Sequence, residues 1–133
     1  MIAVDSSVWI DFIAGRPTPQ SLHLKNNLLR APSQIVLIDI VFAEVMRGLH
    51  EKDVARIESI LLDLTVLRME WIRDFRAAAG LYRAARKSGV TIRGTVDCLI
   101  AAVCIREGVS LLHADADFDR LSQISELATI KVS

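Results

Sequence analysis

MIAVDSSVWIDF, residues 1–12, decides how the rest of the chain folds. Ile2, Ala3 and Val4 form a short apolar run that suits a buried strand, and the run stops at a carboxylate, Asp5. Ser6 and Ser7 then offer side-chain oxygens to cap a helix carrying Val8, Trp9, Ile10 and Phe12. A strand running straight into a helix opens an α/β sheet, and in such sheets ligands bind beyond the carboxyl ends of the strands. Asp5 stands at that edge. Asp is also a preferred helix cap, so the ordinary alternative is that Asp5 or Ser6 merely caps the helix. The choice turns on whether other acids arrive at the same place.

Past a loop at Gly15-Arg16-Pro17-Thr18-Pro19, Ser21 is placed to cap a helix over 21–30 with Leu24, Leu28 and Leu29 on one side. Residues 35–38 read as a second apolar strand, with Asp39 as the N-cap of a helix that ends near Gly48. An amphipathic helix over 51–62 follows, then a short strand at Thr65-Val66-Leu67. Trp71, Phe75, Ala78, Tyr82 and Ala85 recur at helical spacing, which predicts the buried stripe of a long helix. Arg73, Arg76, Arg83, Arg86 and Lys87 then lie on its solvated side. A very apolar helix over 95–106, a fourth strand at 110–113, a helix opened by Asp115 to Asp119 and a weak strand over 128–132 complete the pattern. Strands alternating with helices predict a central parallel sheet covered on both faces, a three-layer α/β/α domain spanning residues 1–133.

The 133 residues carry sixteen basic and sixteen acidic side chains, and this neutrality argues against a plain nucleic-acid-binding module. It leaves room for a metal-dependent nuclease whose clustered acids offset a basic patch. Cys98 and Cys104, six residues apart among aliphatic neighbours, read as small core residues rather than a disulfide or zinc site. The longest apolar run, residues 98–105, falls well short of the roughly 18 residues a membrane helix needs. No basic stretch precedes Asp5, so a cytoplasmic protein with no signal peptide and no membrane contact is expected.

Four places hold an acid in surroundings that disfavour one: Asp5, Glu44 within IVFAEVM, Asp97 within VDCLIAA, and Asp115 with Asp117 after the fourth strand. In a parallel sheet all of them fall at one edge. Each has an ordinary structural role open to it. Asp97 can compensate a helix dipole, worth about 0.3–1 kcal/mol, or pair with Arg93, although Thr95 is the better cap. Glu44 can pair with Arg47 three residues on, and Asp115 or Asp117 can cap the helix holding Phe118. Jointly, a bound cation accounts for them better, because an unpaired buried carboxylate is destabilising by several kcal/mol. An all-oxygen donor set suits Mg²⁺ or Mn²⁺, which take a few carboxylates together with substrate phosphate oxygens. That points to phosphoryl chemistry.

VDSSVWIDF, Glu44-Val45-Met46-Arg47-Gly48-Leu49, Thr95-Val96-Asp97-Cys98-Leu99-Ile100-Ala101-Ala102 and His113-Ala114-Asp115-Ala116-Asp117-Phe118-Asp119 together resemble the four sequence blocks of PIN-domain nucleases. The nearest resemblance is to VapC-type ribonuclease toxins of prokaryotic toxin–antitoxin pairs. It covers the whole chain in order and implies Asp5, Glu44 and Asp97 as the central acids and Asp115 or Asp117 as the fourth. Asp115 is expected to bind metal directly, Asp117 through water, and Asp119 to be solvated. Ser6 or Ser7 and Thr95 match the hydroxyl positions beside the first and third acids. The resemblance further implies hydrolysis of single-stranded RNA by metal-activated water, a homodimer, and a small VapB-type antitoxin that silences the enzyme. Asp39 departs from the Ser or Thr often found where that helix opens. Arg16, Arg47 and Arg93 lie in or near the blocks and are the candidate phosphate contacts.

Two rival functions follow from the same residues. A phosphatase with Asp5 as nucleophile would carry a second Asp two residues on, where this chain has Ser7. A non-catalytic PIN-like interaction module would have little reason to retain all four acid sites.

Overall fold

The computed structural model describes residues 1–132. Its strands are β1 (Ile2–Val4), β2 (Ile35–Ile38), β3 (Thr65–Leu67) and β4 (Ser110–Leu112). They pair in the order β3-β2-β1-β4, all parallel. The helices are α1 (Ser6–Ile13), α2 (Pro19–Arg30), α3 (Asp39–Arg47), α4 (Glu51–Leu62), α5 (Arg73–Lys87), α6 (Thr95–Glu107) and α7 (Ala116–Ile124). α1 packs on α2 and α3, and α3 on α4, while α5, α6 and α7 pack on one another. The two helical groups make the outer layers of an α/β/α sandwich.

The chain leaves β1 toward β2 and β3 on one side and returns to β4 on the other, so the strand order reverses at β1. Beyond the carboxyl end of such a strand an open sheet leaves a crevice. Asp5 occupies that position, and its N–H donates to the Leu112 carbonyl at 2.9 Å, tying the ends of β1 and β4 together. All four residues of β2 are buried, as are Ala3, Val4, Leu111 and Leu112. In α6 every residue from Cys98 to Cys104 is buried, so a helix apolar all round forms the middle of its layer.

Helix starts differ from expectation by a residue or two. Asp5 itself caps α1, accepting from the Ser7 N–H at 3.3 Å, while Ser7 Oγ donates to the same carboxylate at 2.6 Å. Thr18, not Ser21, caps α2 in a reciprocal box closed by Ser21, with Pro19 at the first helical position. Asp39 is the first residue of α3 rather than its cap, and its carboxylate also accepts from the Met69 N–H at 3.2 Å. Thr95 likewise opens α6 after Gly94 and caps nothing. The weak terminal strand reduces to one parallel bridge, Leu111 with Thr129, that covers the outer edge of β4.

The largest correction concerns α5. Trp71, Phe75 and Tyr82 are 75%, 44% and 39% exposed, and the buried face is instead Asp74, Ala78 and Ala85. Both candidate stripes share the two alanines, so periodicity alone does not choose between them. Close packing on α6 is what chooses: small side chains let the two helices approach, and bulky rings at the contact would hold them apart. Asp74 also meets the inward-facing Arg106 of α6, Nε to Oδ1 at 2.9 Å and Nη2 to Oδ2 at 2.9 Å.

Candidate active site

Five carboxylates come from four segments that the sheet topology delivers to one place. Asp5 ends β1, Glu44 lies on α3, Asp97 is in the first turn of α6, Asp115 caps α7 and Asp117 is its second residue. Carboxylate oxygens of Asp97, Asp115 and Asp117 all lie within 4.8 Å of one another. Asp97 sits at the focus. Burial, then the charges of Asp115, Asp5, Asp117 and Glu44, push its carboxyl up to about 7, with nothing pulling the other way. Glu44 is also raised, first by burial and then by Asp5, against weaker opposition from the Ser6 hydroxyl and the Arg47 charge. Its Oε1 is buried without a hydrogen-bond partner among the described residues.

Asp117 lives differently. It is fully buried, and burial alone would raise its carboxyl, but donors from Arg93 and Arg120 hold it below the usual range. Oδ2 accepts from the Arg93 backbone N–H at 3.2 Å and from Arg93 Nε at 3.3 Å, while Oδ1 accepts from Arg120 Nη1 at 2.7 Å. Arg93 Nη2 also spans both oxygens of Asp115, at 3.0 and 3.1 Å. Arg93 therefore pairs with the fourth block and not with Asp97, which removes one of the two ordinary explanations for Asp97 and leaves the helix dipole. Arg47 reaches Glu44 as a nearby charge only.

Of the remaining candidates, Ser6 and Ser7 stand beside Glu44 and Asp5, and Thr95 is exposed at the start of α6. Asp119 is largely solvated, with His113 Nε2 at 3.5 Å. Arg16 is drawn aside into an ion pair with Asp11 at 2.7 Å. Two residues not singled out beforehand belong to the site's frame. Arg120 lies three residues after Asp117, a spacing the sequence does display. The half-hidden signal was His113, whose Nδ1 accepts from the Asp115 N–H at 3.2 Å and so steadies the turn before α7.

The donors fit a hard divalent cation. They are all oxygens, three converge within coordination reach, and Glu44 adds a buried oxygen that no protein group satisfies. Arg93 and Arg120 offset the charges of Asp115 and Asp117, but Asp97 has acidic neighbours and no ion-pair partner, which is the electrostatic signature of a binding site.

The PIN domain profile matches residues 2–124. The VapC ribonuclease Mb1587 of Mycobacterium bovis is 35% identical over 128 residues, covering 96% of each chain. Among solved structures, VapBC2 from Rickettsia felis, bound to a DNA fragment from its promoter, superposes with a TM-score of 0.76 at 19% identity, covering 100% of both chains. A toxin–antitoxin complex from Klebsiella pneumoniae gives 0.65 at 17% identity, over 84% of this chain and 83% of that one. With the sheet order, the acid cluster and these similarities in agreement, the chain belongs to the PIN-domain family and is of the VapC type.

Proposed function

We propose that this protein is a metal-dependent endoribonuclease that cuts single-stranded regions of RNA and acts as the toxin of a toxin–antitoxin pair. The observation that carries this reading is the convergence on Asp97 of four other carboxylates. A bound Mg²⁺ or Mn²⁺ supplies the charge that activates a water and stabilises the leaving oxygen. Asp97, Asp115 and Asp117 would hold it, with Asp5 beside them as a further ligand. Asp117 also accepts from Arg93 and Arg120 and so ties the loop before α6 to the site. Glu44, its carboxyl raised by burial and by the Asp5 charge and its Oε1 without a protein partner, stands beside Asp5 as a further oxygen donor to the site. Arg47, whose charge reaches Glu44, and Arg93, which pairs with Asp115 and Asp117, stand beside the acids and would contact substrate phosphate.

Purified protein should cleave a single-stranded RNA with Mn²⁺ and stop when chelator is added. Asp5→Asn and Asp97→Asn should each lower the rate by two orders of magnitude or more while still melting cooperatively. Cleavage that survives in both variants sinks the mechanism.

Regulation by an antitoxin is supported by an apolar groove of about 310 Å³ between α1, α3 and α4, lined by Ile10, Ile13, Val45 and Leu49. Leu22, Leu29 and Leu62 lie 49%, 74% and 61% exposed on α2 and α4. An apolar helical segment of a VapB-type partner fits such a groove, and the leucines of α2 and α4 supply contacts between two copies. No helix among the described residues is long and apolar enough to cross a membrane. Light scattering at tens of micromolar should return twice the 14.7 kDa chain mass. A clean monomer contradicts the homodimer.

A further inference from the structure

We infer that the outer face of α5 is a stacking and phosphate-binding platform that carries single-stranded RNA toward the acidic pocket; this rests on the ribonuclease reading but is measured separately from it. Phe75, Tyr82 and Arg86 fall on one row of the α5 surface, with Arg76 and Arg83 on the row beside it, and Trp71, just before the helix, lies against Phe75. The rings are exposed, and Trp71 meets Phe75 edge-on with centroids 5.4 Å apart. Arg73, Arg76, Arg83, Arg86 and Lys87 are all exposed. Among the described residues only Arg73 has an acid within ion-pair reach, Glu70 at 3.3 Å. The helix's one acid, Asp74, is buried and committed to Arg106. The exposed face of α5 thus bears five cations and no acid, in a chain whose formal charge is zero.

Interleaved rings and unpaired cations are the chemistry that holds single-stranded nucleic acid, because rings stack on bases while cations neutralise phosphates. A second copy is a poorer occupant. A twofold interface would set this cationic face against itself, and like charges brought together oppose association.

The rings are also held in place. Arg106 Nη2 donates to the Arg68 carbonyl at 2.8 Å, and the Glu70 N–H donates to Asp74 Oδ2 at 2.7 Å, clamping the segment that precedes the helix. Ile72, a β-branched residue at φ 59°, takes a backbone conformation that only such a clamp sustains. The Asp74–Arg106 pair joins the first turn of α5 to the last turn of α6, so the two helices run antiparallel. Lys87 therefore lies toward the end of α6 that carries Asp97. A strand leaving the pocket past Arg86 has about 20 Å of helix to follow before it reaches Trp71.

Trp9 is 1% exposed, so a change in tryptophan emission on titration reports Trp71. The experiment adds a 12-nucleotide single-stranded RNA to the full chain in chelator, where nothing is cut. Emission should be quenched, and a Trp71→Ala/Phe75→Ala variant, which lacks the reporting ring, should bind about tenfold more weakly when both affinities are read from the anisotropy of a dye-labelled copy of the RNA. Arg83→Gln/Arg86→Gln should flatten the dependence of log affinity on log salt by about 1.4, roughly 0.7 for each lost phosphate contact. Unchanged affinity in the aromatic variant overturns the proposal, as does equal quenching by duplex RNA. If that variant turns a dimer into a monomer with RNA affinity unchanged, the face belongs to a second copy and the proposal fails. Quenching without cleavage in Mn²⁺ would leave the platform standing and defeat the ribonuclease reading; cleavage with a silent Trp71 would do the reverse.

Discussion

Asp97→Asn should melt higher than the wild-type protein in chelator at pH 8, by on the order of 10 °C. The sign follows from linkage. Asp97 titrates near 3.8 when unfolded and is pushed up to about 7 when folded, first by burial and then by its acidic neighbours. Between those values the folded chain binds the extra proton, so wild-type stability falls as pH rises from about 4 to about 7 and stays low above that. With partial solvent screening the penalty above pH 7 is on the order of 3 kcal/mol. Asn carries no charge and escapes it, losing only a first-turn dipole contact worth under about 1 kcal/mol. At pH 4 the two proteins should melt together. Added Mn²⁺ should raise the wild type and move the variant less, since a ligand stabilises only as far as it binds the folded state. A variant that melts lower than wild type in chelator at pH 8 would mean that Asp97 is structural and the cluster is no ion site.

Arg106→Met should lower the melting temperature by roughly 10–15 °C at neutral pH. Arg106 is 8% exposed and Asp74 1%, and removing the guanidinium leaves a buried carboxylate uncompensated, at about 3–5 kcal/mol. Burial works to raise Asp74, but the hydrogen bonds from Arg106 and the Glu70 backbone outweigh it and hold it low. A depressed carboxylate contributes its stability above its unfolded value and loses it in acid. The deficit of Arg106→Met should therefore shrink as pH falls below about 3.8, where the gain of Asp97→Asn is already gone. Asp74→Leu/Arg106→Met should recover most of the loss, because a well-packed apolar pair avoids desolvation altogether. Melting curves of the three proteins at pH 7 and pH 3 decide it; a double variant as unstable as the single one would show that Arg106 acts through Arg68 and the loop instead.

What could be read from the sequence and what could not divide along a physical line. The four strands are short apolar runs with abrupt polar ends, and a parallel sheet forces every strand's carboxyl end to one side, so topology put the acids at one edge and allowed, without requiring, that they be neighbours. The facing of α5 did not follow, because Ala78 and Ala85 serve two stripes equally and only the partner helix, through Arg106, selects one. Helix caps slipped for a local reason: at Asp5-Ser6-Ser7 and at Thr18 to Ser21, adjacent residues compete for the same orphan N–H groups at nearly equal free energy. The pairing of Arg93 with Asp115 and Asp117 was equally out of reach, since it spans 22 and 24 residues and depends on the path of the loop before α6.

Cys98 and Cys104 lie in the helix at the middle of the molecule, with thiols pushed up to about 11 and about 12, burial being the main cause in both. Reaction with a disulfide or alkylating reagent requires a thiolate that the reagent can touch, and the folded chain offers neither. Chemistry at sulfur is thereby confined to chains that have opened through their centre, and its rate counts those openings rather than fraying at the ends. The two cysteines make this domain its own unfolding clock, running without any added label.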